Sequence, residues 1–277
     1  MENMRRGLSG AGLGNRSSDL EWISKAAQYG FEVVDTSAAG LIEKLGSKEA
    51  AAQYLHDHSV QLGSVGLPVQ WRGTDEQFQQ GLANLVVEAE AAASLGGTRC
   101  CTYILPSTDL QPAHFMALAT KRLRVCAEIL SVYGIRLGLE FVGPHHLRTN
   151  WANPFIWTMQ ETLDWIDAIG SPNVGLLLDA YHWYTNEMTV EDLVVLRSDQ
   201  IVHAHINDAP DVPVAEALDN GRLYPGEGVI DLIGFLGALR KIGYTGPVVQ
   251  EILSATPTDQ SLEELLERSK AGFDRVF

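Results

Sequence analysis

Eight times along the chain, a short apolar run gives way to a longer segment whose apolar residues recur at helical spacing. The runs occupy residues 7–13, 31–35, 60–65, 98–105, 136–142, 174–179, 201–206 and 247–252. The helix-length segments are 19–28, 48–57, 75–95, 112–133, 159–169, 190–195, 232–242 and 261–273. In the 75–95 segment, Phe78, Leu82, Leu85, Val86 and Ala89 share one helical face. The runs are apolar on both sides, as parallel strands covered by helices must be. Strand then helix, eight times over, predicts an α/β fold: a single (β/α)8 TIM barrel domain spanning residues 1–277. The alternative is an open doubly wound sheet, which would place a glycine-rich phosphate turn after its first strand. The glycines of "GLSGAGLG" miss that spacing, because the position required after Gly10 and Gly12 is Asn15. No Walker A pattern occurs, and only the first six residues, 1–6, look unanchored.

Charge narrows the function classes. With 20 basic against 35 acidic residues, net −15, the chain is unsuited to displacing counterions from nucleic-acid phosphates. The three cysteines, Cys100, Cys101 and Cys126, form no CxxC pair and are odd in number. They read as buried small hydrophobes of a cytoplasmic, reducing compartment. No signal-peptide run opens the sequence, and no apolar stretch of about 18 residues suggests a membrane span.

In such barrels the active site lies at the C-terminal ends of the strands. The fifth run ends at "LGLEFVGP" with Glu140, and the sixth, "GLLLDAYHWY", reaches Asp179 with His182 just beyond. The seventh, "IVHAHIND", carries His203, His205 and Asp208, and the eighth, "VVQEIL", carries Glu251. Asp179 either caps the following segment or delivers a ligand into a pocket. Three carboxylates and an imidazole thus share one rim, each preceded by residues that would bury it. No arginine or lysine lies inside runs six to eight to pair with them. Buried carboxylates need a partner or a metal. Two glutamates, an aspartate and a histidine suit one divalent cation, Mn²⁺ first among Mg²⁺, Co²⁺ and Zn²⁺.

These motifs, with "LYPGEGVID", make the chain resemble the xylose-isomerase-like barrels of the sugar isomerase/epimerase superfamily along nearly its whole length. The resemblance implies a metal held by Glu140, Asp179, His205 and Glu251, with His182 contacting substrate oxygens and the two glutamates acting as acid/base groups. A C–H beside a carbonyl is a weak acid, and a metal chelating the carbonyl and the adjacent hydroxyl stabilises the enediolate left on deprotonation. Glu140 and Glu251, on strands five and eight, are the expected proton-transfer groups. Further substrate-binding candidates are His145, His146 and Arg148 of "GPHHLR", Arg222 and Glu227 of "GRLYPGEG", and the aromatic faces of Trp71, Trp151, Trp157 and Trp183.

One departure narrows the resemblance. Ketose 3-epimerases of the superfamily carry an arginine six residues after the metal histidine, where this chain has Asp211. The expectation is therefore an isomerase or epimerase of another free sugar or keto-polyol. A dehydratase or lyase acting on an inosose or 3-keto sugar by the same chemistry is the alternative, with His145 or His146 as acid. The implied partner is a small molecule, with neither nucleic acid nor membrane, and a homo-oligomer is compatible with such a barrel.

Overall fold

Pairing between successive parallel strands closes the molecule on itself. The computed structural model describes residues 4–14 and 18–277. Its first half runs β1 (Arg5–Ser9), α1 (Asp19–Ala26), β2 (Val33–Asp35), α2 (Ala38–Leu45), α3 (Lys48–Asp57), β3 (Gln61–Leu62), β4 (Val65–Gly66), α4 (Asp75–Ser94), β5 (Arg99–Ile104), β6 (Ser107–Thr108) and α5 (Pro112–Val132). The second half runs β7 (Arg136–Phe141), α6 (His145–Arg148), β8 (Asn153–Pro154), α7 (Met159–Ile169), β9 (Val174–Asp179), α8 (Ala180–Thr185), α9 (Val190–Val194), β10 (Ile201–Ile206), α10 (Leu232–Lys241), β11 (Pro247–Gln250) and α11 (Leu262–Val276).

The main sheet has the order β3-β2-β1-β11-β10-β9-β7-β5-β4. Its two ends, β3 and β4, are the halves of the third apolar run, parted by Gly63 and Ser64. The sheet is thus a nearly closed TIM barrel whose ring returns through one interrupted strand. Asp35 sits at the interruption: its Oδ1 accepts the Ser64 N–H at 2.8 Å, while the Gly63 N–H reaches the Val34 carbonyl at 2.8 Å. A Cβ on Gly63 would lie 2.3 Å from Asp35 Oδ1, so only glycine admits the carboxylate there. β6 and β8 form a separate two-stranded antiparallel pair.

The eight runs map onto the barrel strands with one shift. β1 begins at Arg5, two residues before the predicted start, and ends at Ser9, so Arg5 and Arg6 are tied into the sheet opposite Pro247 and Val248. Backbone pairing, not side-chain polarity, extends the strand, and Arg6 covers Phe273 and Phe277 from outside. The rest of the segment expected to be unanchored, residues 1–3, and Asn15 lie outside the described residues. Helix α2 was not foreseen; it is short, capped by the Ser37 side chain, and follows β2 after two residues.

Strand alternation sorts the site from the core. Leu176 and Leu178 of β9 are fully buried among the residues of the larger apolar cluster, while Leu177 lines the cavity inside the barrel rim. Helices α4, α5 and α7 supply a second apolar cluster on the other side. No helix among the described residues is long and apolar enough to cross a membrane. The Leu178→Ala variant is expected to lose about 2–5 kcal/mol in urea unfolding, the usual cost of a large-to-small change in a packed core.

Candidate metal centre and active site

The C-terminal ends of β7, β9, β10 and β11 bring the four expected ligands together. Glu140, Asp179, His205 and Glu251 each offer a donor atom within 4.8 Å of the others. His205 Nδ1 lies 3.7 Å from Glu140 Oε1, 3.8 Å from Asp179 Oδ2 and 3.5 Å from Glu251 Oε2. Glu140, Asp179 and His205 are buried, and Glu251 is partly exposed toward the cavity. Two of the facing atoms, His205 Nδ1 and Glu140 Oε1, are buried without a hydrogen-bond partner. Unsatisfied buried polar atoms are rare. A mixed oxygen/nitrogen donor set aimed at one point fits a divalent cation.

Asp179 answers the alternative posed by its position, because it does both jobs. Its Oδ1 accepts the Tyr181 N–H at 2.6 Å and so caps α8, while its Oδ2 faces the cluster. Asn207, two residues after His205, donates to Asp179 Oδ1 at 3.0 Å and Oδ2 at 3.2 Å, fixing the carboxylate plane.

The absence of a basic residue within the strands does not leave the acids unpaired. Arg222 enters from the loop after β10, fully buried as a side chain. Its Nη1 donates to Asp179 Oδ2 at 2.9 Å and to Glu251 Oε2 at 3.0 Å. Its Nη2 donates to Asp219 Oδ1 at 2.7 Å, and its Cζ stands 5.1 Å from the Tyr181 ring centre. Asp208 holds this loop, accepting the N–H groups of Ala209, Gly226, Gly228 and Ile230. Arg222 is therefore part of the cluster, sharing oxygens with the candidate metal position.

The electrostatics follow. Burial raises Asp179, but Arg222, His182 and His205 outweigh it and hold the carboxyl well below its usual range. Burial likewise opposes ionisation of Glu251, and His205 and Arg222 overcome it, lowering that carboxyl. Glu140, without a guanidinium contact, is raised by its burial. Burial disfavours the charged His205, yet Glu251, Asp35 and Glu140 together push it well above the ordinary imidazole value.

The cavity in front of the cluster is about 260 Å³ and is lined on its other side by Asp35, Ser37, Ser64, Thr102 and Tyr103. Among the described residues, no lysine or arginine lines it. His182 stands behind Glu140, its Nε2 3.8 Å from Glu140 Oε1 and 3.3 Å from Arg222 Nη2, with Nδ1 facing the Gly143 N–H. His145, His146 and Arg148 sit on α6. The Arg148 guanidinium is engaged by the carbonyls of Gly143 and Thr185, so it ties two loops together instead of reaching a substrate. Trp183 is also corrected: it is buried against Phe235 and donates to the Thr189 carbonyl. Trp71 packs on Phe115 in the core, Trp157 lies under Arg148, and neither these nor Trp151 lines the cavity. Glu227 pairs with Arg268 at the surface. The aromatic residue that does face the cavity is Tyr103.

Asp35 was overlooked, although "FEVVD" ends an apolar run in a carboxylate just as "GLLLD" does. Asn207, inside "HIND", and Asp219 were overlooked too: Asn207 meets Asp179 and the Glu251 carbonyl only across neighbouring strand ends, and Asp219 meets Arg222 only through the fold of the loop after β10.

A model of the family described as xylose isomerase-like TIM barrel matches residues 23–271. A solved xylose isomerase domain protein from Alicyclobacillus acidocaldarius is 32% identical, with a TM-score of 0.91 over 99% of this chain and 98% of that one. An inosose isomerase from Bacillus velezensis is 25% identical over 95% of this chain and 92% of its own. The crystal structure of the IOLI protein with a bound zinc atom superposes with a TM-score of 0.80 at 23% identity, over 99% of this chain and 98% of that one; at that identity the likeness is one of fold.

Asp35 sets a pH test. Burial raises its carboxyl, but His203 and His205 bring it down to about 2. Against an unfolded value of roughly 3.9, this contributes about 2–3 kcal/mol of stability that is present above that value and lost as pH falls through the folded one. The stability gap between wild type and Asp35→Asn, followed by urea unfolding, is expected to be widest above about pH 5 and to shrink toward about pH 2.

Proposed function

The chain belongs to the xylose isomerase-like TIM barrel family, and from that premise we propose that it is a divalent-metal-dependent isomerase or epimerase of a free sugar or keto-polyol. The observation that carries the reading is the convergence of Glu140, Asp179, His205 and Glu251, the first three buried, with His205 Nδ1 and Glu140 Oε1 left without partners. These four residues would hold the metal, for which Mn²⁺ is the first candidate and Mg²⁺, Co²⁺ and Zn²⁺ are the others. When bound, the ion supplies Lewis acidity to the substrate's carbonyl and adjacent hydroxyl oxygens.

The chain's own residues supply the proton chemistry. Glu140 on β7 and Glu251 just after β11 approach the cavity from two sides. One carboxylate removes the proton from the carbon beside the carbonyl. The other returns a proton to the opposite face, giving the epimer, or the first returns it to the neighbouring carbon, giving the isomer. Arg222 holds Glu251 and Asp179 in fixed orientations, so neither carboxylate has to be reorganised during the transfer.

The cavity supports the substrate class. Its volume of about 260 Å³ suits a molecule of monosaccharide size. Its hydroxyl lining offers hydrogen bonds to several substrate hydroxyls, and the lack of lysine and arginine among the described lining residues favours an unphosphorylated substrate. The name of the Bacillus velezensis relative, inosose isomerase, makes keto-inositols the first compounds to test. A dehydratase gains no support from His145 or His146, since neither lines the cavity.

Exhaustive chelation is expected to abolish turnover, with Mn²⁺, Mg²⁺, Co²⁺ or Zn²⁺ restoring it; full activity in metal-free protein would end the metal reading. The Glu251→Gln variant should still take up metal while kcat falls by about 10²–10⁴, the usual worth of a positioned acid/base group. Near-normal kcat in that variant would remove Glu251 from proton transfer.

A further inference from the structure

Beside the four-donor cluster, and sharing His205 with it, lies a second polar group whose other members, Asp35 at the cavity wall and His203, the proposed chemistry does not use. His203 and His205 alternate along β10 and so point to the same side, into the barrel, where β2 ends in Asp35. Asp35 Oδ2 is 2.7 Å from His203 Nε2 and 3.4 Å from His205 Nε2, and its Oδ1 accepts the Ser64 N–H at 2.8 Å. His203 is fully buried and Asp35 nearly so.

We propose that Asp35 is a positioning residue for the metal centre: it accepts the Nε2–H of His205 and thereby leaves Nδ1 bare toward Glu140, Asp179 and Glu251. This inference rests on reading His205 as a metal ligand. A neutral imidazole carries one proton, and the nitrogen that coordinates must be the one without it. Both Asp35 oxygens stand in acceptor positions, Oδ1 against the Ser64 N–H and Oδ2 against the two imidazole nitrogens. The nitrogen facing it is Nε2, so the proton belongs there and the lone pair belongs at Nδ1, whose nearest neighbours are the three carboxylate oxygens at 3.5–3.8 Å. A carboxylate behind a ligating histidine fixes both tautomer and ring orientation.

His203 has a supporting part. Its Nε2–H donates to the same Oδ2 over the shorter distance, and the Ser64 N–H holds Oδ1. The carboxylate is thus clamped from both ends before His205 is counted. The clamp also explains the interrupted third strand: Ser64 turns its N–H to the Asp35 side chain, and Gly63 provides the room.

Asp35→Asn tests the role at nearly constant size. The amide cannot satisfy every neighbour. Turned one way, its NH₂ meets the N–H groups of His203 and His205; turned the other, it meets the Ser64 N–H. Zn²⁺ affinity, measured by competition with a chromophoric chelator, is expected to fall about 10–100-fold. In Zn²⁺-loaded wild type, ring-¹⁵N histidine NMR is expected to show His205 protonated at Nε2 and coordinated through Nδ1. Glu88→Gln is the control for general loosening. Glu88 holds the neighbouring segment through the Ala38 N–H at 2.6 Å and the Ser37 hydroxyl at 2.9 Å, without contact to either histidine. It should lower thermal stability and leave Zn²⁺ affinity nearly unchanged.

Coordination through Nε2, or equal Zn²⁺ affinity in wild type and Asp35→Asn, would overturn the positioning role while leaving the metal centre in place. Equal losses in Asp35→Asn and Glu88→Gln would overturn it as well, showing only a structural effect. A wild type that takes up no Zn²⁺ would overturn the metal reading itself and the positioning role with it.

Discussion

Everything at the rim depends on how three clustered carboxylates, two of them buried, are kept from repelling one another. Glu140, Asp179 and Glu251 converge on one point inside a barrel whose walls are apolar. Isolated, each would be costly to bury in ionised form. The fold compensates in two ways. Arg222 bridges Asp179 and Glu251 directly, and His205, pushed toward its charged form by the surrounding acids, stands opposite all three. A divalent ion at the same point would take over from the imidazole proton, since metal and proton compete for Nδ1. Charge compensation and metal binding would then be two states of one arrangement.

The surrounding structure holds that arrangement still. Asn207 fixes the plane of Asp179, Asp219 and Tyr181 fix Arg222, and Asp208 gathers four backbone N–H groups to shape the loop that carries it. These supports come mostly from loops and strand ends, the parts of a barrel that vary chemistry without altering the scaffold. A Cβ on Gly228 would lie 2.0 Å from the Ala209 carbonyl oxygen, so the glycine is needed for the loop to close onto β10's exit.

The barrel was legible because its strands and helices have different periods, and because burial on both faces leaves continuous apolar runs. The four donors were legible because each interrupts or ends such a run. What the pattern could not carry was the set of partners that depends on chain returning from elsewhere. Arg222 lies 17 residues beyond His205 in sequence yet touches Asp179 and Glu251, so the apparent lack of a cation within the strands was misleading. Asp35 did have a visible signal, the same apolar-run-to-carboxylate pattern as Asp179, but its partners lie on a strand 168 residues away. The tryptophans failed for the opposite reason: large aromatics are recruited by whichever core has room, and Trp71 and Trp183 fill cores.

Proton abstraction beside a carbonyl leaves a mark in the product that no binding measurement can supply. The direct measurement is mass spectrometry of keto-inositols and free ketoses incubated in D₂O with metal-loaded protein. One solvent deuterium on carbon in the converted molecule, with no loss of water, is the predicted result. Conversion without any deuterium on carbon would contradict two-carboxylate epimerisation through Glu140 and Glu251, leaving only return of the same proton by one carboxylate, and a product lighter by one water would make the protein a dehydratase.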